Sequence, residues 1–100
     1  MEEDLEILSK EEILKRLAEF PGWEFGDDKI KKTFEFSSFT ESVNFVSGLV
    51  DFCNSLDHHP DIQINYGKVT FELHRTDVGG KVTDRDFTVA REIERLYSSQ

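Results

Sequence analysis

The order of hydrophobic periodicities along the chain is the feature that most constrains its fold. Apolar residues recur at helical spacing in three segments, and two pairs of short alternating segments lie between them. Each pair is joined by a short turn, which makes its two strands antiparallel neighbours. The sequence therefore predicts an α+β fold in the order α-β-β-α-β-β-α, with a four-stranded antiparallel sheet and three helices packed on one face. Its 100 residues suffice for one domain, residues 1–100.

Capping signals place the starts of the three helices. The spacing of Ser9 and Glu12 predicts a first helix over about residues 10–19, and Thr83-Asp84-Arg85-Asp86 opens the last. A third signal at Ser38 opens a long helix over about residues 39–56. The apolar residues of this helix cover about half of its circumference, more than a surface helix needs for one core. Two explanations of this wide apolar surface stay open: burial against another subunit, and deep burial in the chain's own core.

Strand parity predicts which side chains face the helices. The strands are expected at 23–25, 30–36 and 62–66, with a last one from Val69 onward. Since successive side chains point to opposite faces, Val69, Phe71 and Leu73 face the helices. His74 and Thr76 are then expected on the opposite, open face of the sheet.

The sequence Asp57-His58-His59-Pro60 is the strongest chemical signal in the chain. Pro60 disfavours helical geometry for His59, so the long helix is expected to end here. Histidine, with an unperturbed pKa of about 6.5, exchanges protons near neutral pH. Because this turn leads into the strand beside His74, all three histidines are predicted to converge on one concave surface of the sheet.

Several readings of this histidine cluster compete. A polar turn without function is one, and a metal site is another, although no HxH or HxxxH spacing is present. Catalysis of the Ser/His/Asp type would need a nucleophile elbow, which the sequence lacks. General acid–base catalysis needs only placed imidazoles and a pocket, and this is the reading we favour.

Composition excludes several classes of partner. A net charge of −9 without a cluster of Lys and Arg argues against nucleic acid and anionic membranes. No apolar run approaches 18 residues, so no membrane span is expected, and the acidic start is unlike a signal peptide. The lone Cys53 suits a reducing cytoplasm and is expected to be buried and inert.

Several motifs occur together in an order that resembles the pterin-4a-carbinolamine dehydratase family. The resemblance extends from Leu8 to Leu96. The segments that carry it are Phe20-Pro21-Gly22-Trp23, Phe34-Glu35-Phe36, His58-His59-Pro60-Asp61-Ile62, Tyr66, Gly79-Gly80 and Thr83-Asp84-Arg85-Asp86-Phe87.

The resemblance implies an enzyme that dehydrates 4a-hydroxytetrahydropterin and so recycles the cofactor of aromatic amino-acid hydroxylases. It implies that the pterin is a substrate, that no separate cofactor or metal is used, and that the chain forms a homodimer or homotetramer. Mammalian members also serve as a dimerisation cofactor of a homeodomain transcription factor. By this analogy the catalytic residues are His58, His59 and His74, and the substrate-binding residues are Trp23, Asp57, Pro60, Thr76 and Asp86.

Two positions depart from the family pattern. Asn54 stands where the family usually has an acidic residue, and Thr76 stands where it has a third histidine. His74, two residues upstream on the same strand face, is expected to substitute for that histidine. Two alternatives to a dehydratase therefore stay open: a non-catalytic binding or oligomerisation module, and an enzyme that acts on another pterin, such as a molybdopterin-pathway intermediate.

Overall fold

The predicted α+β class is confirmed by a computed structural model, which describes residues 5–75 and 81–100. Its elements are α1 (Lys10–Leu17), β1 (Glu24–Gly26), β2 (Lys29–Glu35), α2 (Phe39–Ser47), α3 (Val50–Leu56), β3 (Asp61–Asn65), β4 (Lys68–Leu73) and α4 (Asp84–Ser98). The four strands form one antiparallel sheet in the order β1-β2-β4-β3. No helix in the described ranges is long and apolar enough to cross a membrane.

The long helix predicted over residues 39–56 is wrong in one respect, because it is broken after Ser47. Gly48, the C-cap of α2, has low helix propensity, and the amide of Leu49 donates to the carbonyl of Val46 in a tight turn. The break turns Leu49 into the core, where it is 2% exposed. Two shorter helices therefore replace the predicted one.

The sheet separates a buried face from a polar face, as the strand parity predicts. On the central strands β2 and β4, five helix-facing residues are fully or almost fully buried: Ile30, Phe34, Val69, Phe71 and Leu73. On the open face, Lys31 lies opposite Glu72, and the hydroxyls of Thr33 and Thr70 are 2.7 Å apart across the strands. All helices therefore pack on one side, and the open face carries polar residues.

The starts of α1, α2 and α4 use the side chains predicted to cap them, whereas α3 begins without a side-chain cap. The Ser9 amide donates to Glu12 Oε1 over 3.1 Å and the Glu12 amide to Ser9 Oγ over 3.2 Å, which completes a capping box on α1. At α4, the Thr83 amide donates to Oδ2 of Asp86 over 2.8 Å. Asp86 is fully buried, so this cap lies inside the protein. The position of Asp86 is what connects the fold to the candidate site.

Candidate active site

The histidine pair lies at the sharp turn between α3 and β3. Asp57 ends α3 in a left-handed conformation with φ of 52° and ψ of 45°, and the His58 amide donates to the carbonyl of Cys53 over 3.1 Å. This is the usual way in which a helix satisfies its last carbonyls. Pro60 then directs the chain into β3, which begins at Asp61. The turn holds two successive imidazoles in different surroundings.

His58 points into the protein and pairs with a buried carboxylate. Its Nε2 lies 2.5 Å from Oδ1 of Asp86, and only 8% of the residue is exposed. The other oxygen of Asp86 accepts the amide of Thr83, so both carboxylate oxygens have partners. His58 therefore belongs to the turn between α3 and β3, but its side chain is buried. The carboxylate of Asp86 orients the His58 ring through its contact with Nε2.

His59, in contrast, is exposed. Its Nε2 lies 2.9 Å from Oδ1 of Asn54, one turn back on α3. With the amide oxygen as acceptor, the imidazole donates from Nε2 and keeps the lone pair of Nδ1 for another proton. Asn54 therefore orients His59 without placing a charge beside it.

His74 reaches the same region from the end of β4. Its Nε2 lies 3.0 Å from Oδ2 of Asp61, the first residue of β3. Its Nδ1 is buried and, within residues 5–75 and 81–100, has no hydrogen-bond partner. A buried nitrogen without a partner is better tolerated as a lone pair than as an N–H donor to nothing. The ring therefore donates from Nε2 to Asp61, and Nδ1 meets no hydrogen-bonding group of the described residues.

All three imidazoles line one cavity of about 350 Å³. That volume lies within the range of about 300–1,000 Å³ typical of small-molecule sites. The lining residues are Leu5, Asp57, His58, His59, His74, Arg75 and Arg85. None of them belongs to a strand, so the cavity lies at the end of the sheet. The three histidines lie together, as the sequence predicts, and the placement of the hollow on the open face of the sheet stays a prediction.

The other predicted binding residues divide into three groups. Asp57 lines the cavity, and the half-buried Pro60 follows the histidine pair. Trp23 is not among the lining residues: it is 5% exposed, and its indole Nε1 donates to Glu94 Oε2 over 2.8 Å. The predictions for Thr76 and for Gly79-Gly80 fall outside the described residues.

Two arginines line the cavity that the sequence analysis did not identify as site residues. Arg75 follows His74, and its Nη1 donates to the carbonyl of Leu5 over 2.6 Å. Arg85 lies in the first turn of α4, and its Nη1 donates to the carbonyl of Leu56 over 3.1 Å. Two features of the sequence could have identified them: Arg75 is adjacent to His74, and Arg85 belongs to the capping motif of α4. The tertiary fold brings the two arginines, one after β4 and one in α4, to the same cavity.

Cys53 lies directly behind the histidine turn. It is 5% exposed, and desolvation raises the pKa of its thiol above the ordinary value. The nearby carboxylate of Glu92 acts in the same direction. The expectation of a buried thiol is confirmed, and at neutral pH the nucleophilic thiolate is suppressed.

Sequence comparison identifies the family to which this chain, with its α+β fold and histidine-lined cavity, belongs. Residues 6–96 match the family described as pterin 4 alpha carbinolamine dehydratase, and the chain belongs to this family. A relative from Sulfolobus acidocaldarius, named for the same dehydratase, is 42% identical over 89% of this chain and 97% of its own. A Picosynechococcus relative with the same kind of name is 43% identical over 89% of this chain and 96% of its own.

Solved structures agree with this assignment. The crystal structure of a transcriptional coactivator/pterin dehydratase from Brucella melitensis has a TM-score of 0.85 and 26% identity, over 91% of this chain and 98% of that one. A pterin dehydratase-like protein identified as a RuBisCO assembly factor in the alpha-carboxysome has a TM-score of 0.61 and 20% identity. The match covers 75% of this chain and 88% of the assembly factor. At 20% identity it is evidence for a shared fold alone.

Proposed function

We propose that this protein is a 4a-hydroxytetrahydropterin dehydratase that works by histidine acid–base catalysis in tetrahydropterin recycling. The observation that carries the proposal is the placement of His58, His59 and His74 on one cavity. Membership of the dehydratase family supplies the substrate class. The reaction moves protons and releases water, so it needs no metal or organic cofactor.

In the proposed mechanism one imidazole accepts a proton while another supplies one. A base removes the proton from N5 of the pterin, and the electron pair of that N–H bond forms the N5–C4a double bond. The C–O bond at C4a breaks, and an acid protonates the departing hydroxyl, which leaves as water. The products are the quinonoid dihydropterin and one water molecule.

The surroundings of the two turn histidines suit different roles. His59 is exposed and held by the neutral amide of Asn54, so we assign it as the base. His58 faces the buried carboxylate of Asp86, which compensates the positive charge of an imidazolium, so we assign it as the acid. His74, oriented by Asp61, is assigned as a third polar contact to the heterocycle.

A stopped-flow assay of 4a-hydroxytetrahydropterin dehydration tests the proposal. We expect the protein to dehydrate the substrate faster than buffer alone does. We expect His59→Ala to lower this rate by about 10²–10⁴-fold, the usual contribution of a general base. Lys31→Ala, on the polar face of the sheet, is the matched control and should retain full activity. A rate equal to buffer, or one untouched by His59→Ala, would reject the dehydratase.

One observation favours a second candidate, a binding or oligomerisation module that keeps the dehydratase scaffold. Asn54 supplies an uncharged partner to His59, where the family usually has an acid, and such a change lowers catalytic power more than stability. An inactive protein that still captured a protein partner in pulldown, or bound pterin in calorimetry, would favour this module. Failure of both binding experiments would reject it.

The exposed apolar residues of α2, α3 and the following hairpin support a homodimer or homotetramer. Phe39 and Val50 are about half exposed, and Tyr66 is 72% exposed, next to the edge strand β3. Sedimentation of the wild type and of Val50→Asp tests this assembly, with Leu14→Asp on α1 as the control. A monomeric wild type would exclude it.

We also propose a cytoplasmic location, which the lone Cys53 supports because a single cysteine forms no internal disulfide and suits a reducing compartment.

A further inference from the structure

One wall of the histidine cavity comes from a segment that is distant from the histidines in sequence. Leu5, which precedes α1, lines the cavity together with His58, His59 and His74. Leu5 is half-buried, and it brings an aliphatic side chain into a cavity whose chemistry is otherwise that of imidazoles. No motif of the sequence marks it as a site residue.

The position of Leu5 is fixed relative to His74. Nη1 of Arg75 donates to the backbone carbonyl of Leu5 over 2.6 Å. Arg75 directly follows His74, and its amide donates to the carbonyl of Lys81 over 2.7 Å. Leu5 is therefore bound to the same strand end that carries one imidazole of the cavity.

Two further contacts anchor residues 5–8 on the chain just before α4. Ile7 pairs with Thr83 in an antiparallel bridge, and the Leu8 amide donates to the carbonyl of Val82 over 2.9 Å. Val82 and Thr83 are both buried, so the anchor belongs to the core. Since residues 5–8 are held at both ends, Leu5 forms a fixed wall of the cavity.

A pterin ring presents two kinds of surface to such a cavity. Its edge carries the nitrogen and oxygen atoms that exchange protons, whereas its flat faces are much less polar. Small-molecule sites usually combine apolar side chains with a few polar groups that fix the orientation of the ligand. In the proposed site the imidazoles of His58 and His59 serve the edge, and an aliphatic side chain in a fixed position suits a face.

We infer that Leu5 is a substrate-contacting residue whose side chain packs against one face of the pterin ring. The inference rests on the proposed pterin site and adds a residue that orients the ring towards the histidines. Because residues 5–8 are already held in place, little conformational freedom is lost when the pterin binds. Leu5 contributes to affinity and orientation and takes no part in proton transfer.

Calorimetric binding of 7,8-dihydrobiopterin, which has no 4a-hydroxyl to lose, tests the contact without turnover. Leu5→Ala removes most of the apolar side chain and should weaken binding about three- to tenfold. Leu5→Met keeps an apolar side chain of similar volume and should stay within about twofold of the wild type. Ile7→Ala is the matched control, since Ile7 lies in the same segment, is 53% exposed and is not among the residues that line the cavity. It should keep the wild-type affinity.

Hydrogen exchange of the free protein tests the fixed position of the wall. The Leu8 amide donates to the carbonyl of Val82, so it should exchange at least about tenfold more slowly than the same amide in an unstructured peptide. Exchange at the unstructured rate would contradict a wall held in place before the pterin binds.

Equal affinities of the wild type and Leu5→Ala, or an equal loss of affinity in Ile7→Ala, would overturn the inference. These outcomes are distinct from failure of the proposed function. A protein that dehydrates its substrate while Leu5→Ala binds the probe normally would refute only the inference. Binding that depends on Leu5 in a protein without dehydration activity would refute only the dehydratase. A wild type without affinity for the probe would overturn the inference, and stopped flow would still decide the dehydratase.

Discussion

Nε2 of His58 lies 2.5 Å from Oδ1 of Asp86, and this contact joins the end of α3 to the start of α4 across 28 positions of sequence. Asp86 is fully buried, and its second oxygen caps α4 through the Thr83 amide. One carboxylate therefore orients a proposed catalytic ring and closes a helix terminus. A change at either residue is expected to affect both stability and activity.

His58→Ala should destabilise the fold far more than His59→Ala. Removal of the His58 ring leaves a buried carboxylate oxygen without its partner, which costs about 3–5 kcal/mol when a buried pair is broken. His59 is exposed, so its removal should change the free energy of unfolding by less than about 0.5 kcal/mol. Urea denaturation of both variants measures the difference. Equal stabilities would show that the contact with Asp86 contributes little.

Asn54→Glu should restore a charged partner for His59 and raise the dehydration rate. A carboxylate at that distance stabilises an imidazolium and so strengthens the proposed base. The expected result is a pH–rate profile shifted to higher pH, measured by stopped flow. Asn54→Gln, which keeps a neutral amide, is the control and should leave the profile in place. An identical profile for the two variants would exclude a role of charge at position 54.

Phe71→Ala should cost about 3–5 kcal/mol in unfolding free energy, the usual cost of a buried phenylalanine. Its ring is completely buried, and it contacts the rings of Phe34 and Phe45 edge-on at centroid distances of 5.8 and 6.1 Å. Phe39→Ala, at a ring that is 52% exposed, is the control. It should cost under about 1 kcal/mol in the isolated chain. Thermal and urea unfolding measure both.

Cys53 should react slowly with thiol reagents in the folded protein and quickly after denaturation. Burial raises the pKa of its thiol, so the folded state holds this proton more tightly than the unfolded state does. The resulting stabilisation is complete below the unfolded thiol pKa of about 8.5 and is lost as the pH rises through the folded value. Wild type should therefore lose more stability than Cys53→Ala between pH 8 and the alkaline range. If the free energy of unfolding fell equally with pH in both proteins, a raised pKa of the Cys53 thiol would be contradicted.

Local patterns predicted most elements of the fold correctly. The capping spacing at Ser9 marked the start of α1, and the alternation through Phe71 identified the buried side of β4. The break at Gly48 was missed, because the apolar pattern of the helix continues across it and only packing of Leu49 into the core reveals the turn. The His58-His59 turn and the strand parity of His74 predicted the histidine cluster, and the catalytic roles of these residues stay predictions.

The sequence by itself determined the order of elements, the helix starts and the parity of the strands, since each depends on side chains a few positions apart. Tertiary structure alone decided that His58 faces Asp86, that Trp23 binds Glu94 away from the cavity, and that two arginines share the histidine wall. These relationships join distant segments. Their geometry follows from how α3, α4 and the end of the sheet pack together, which no local periodicity encodes.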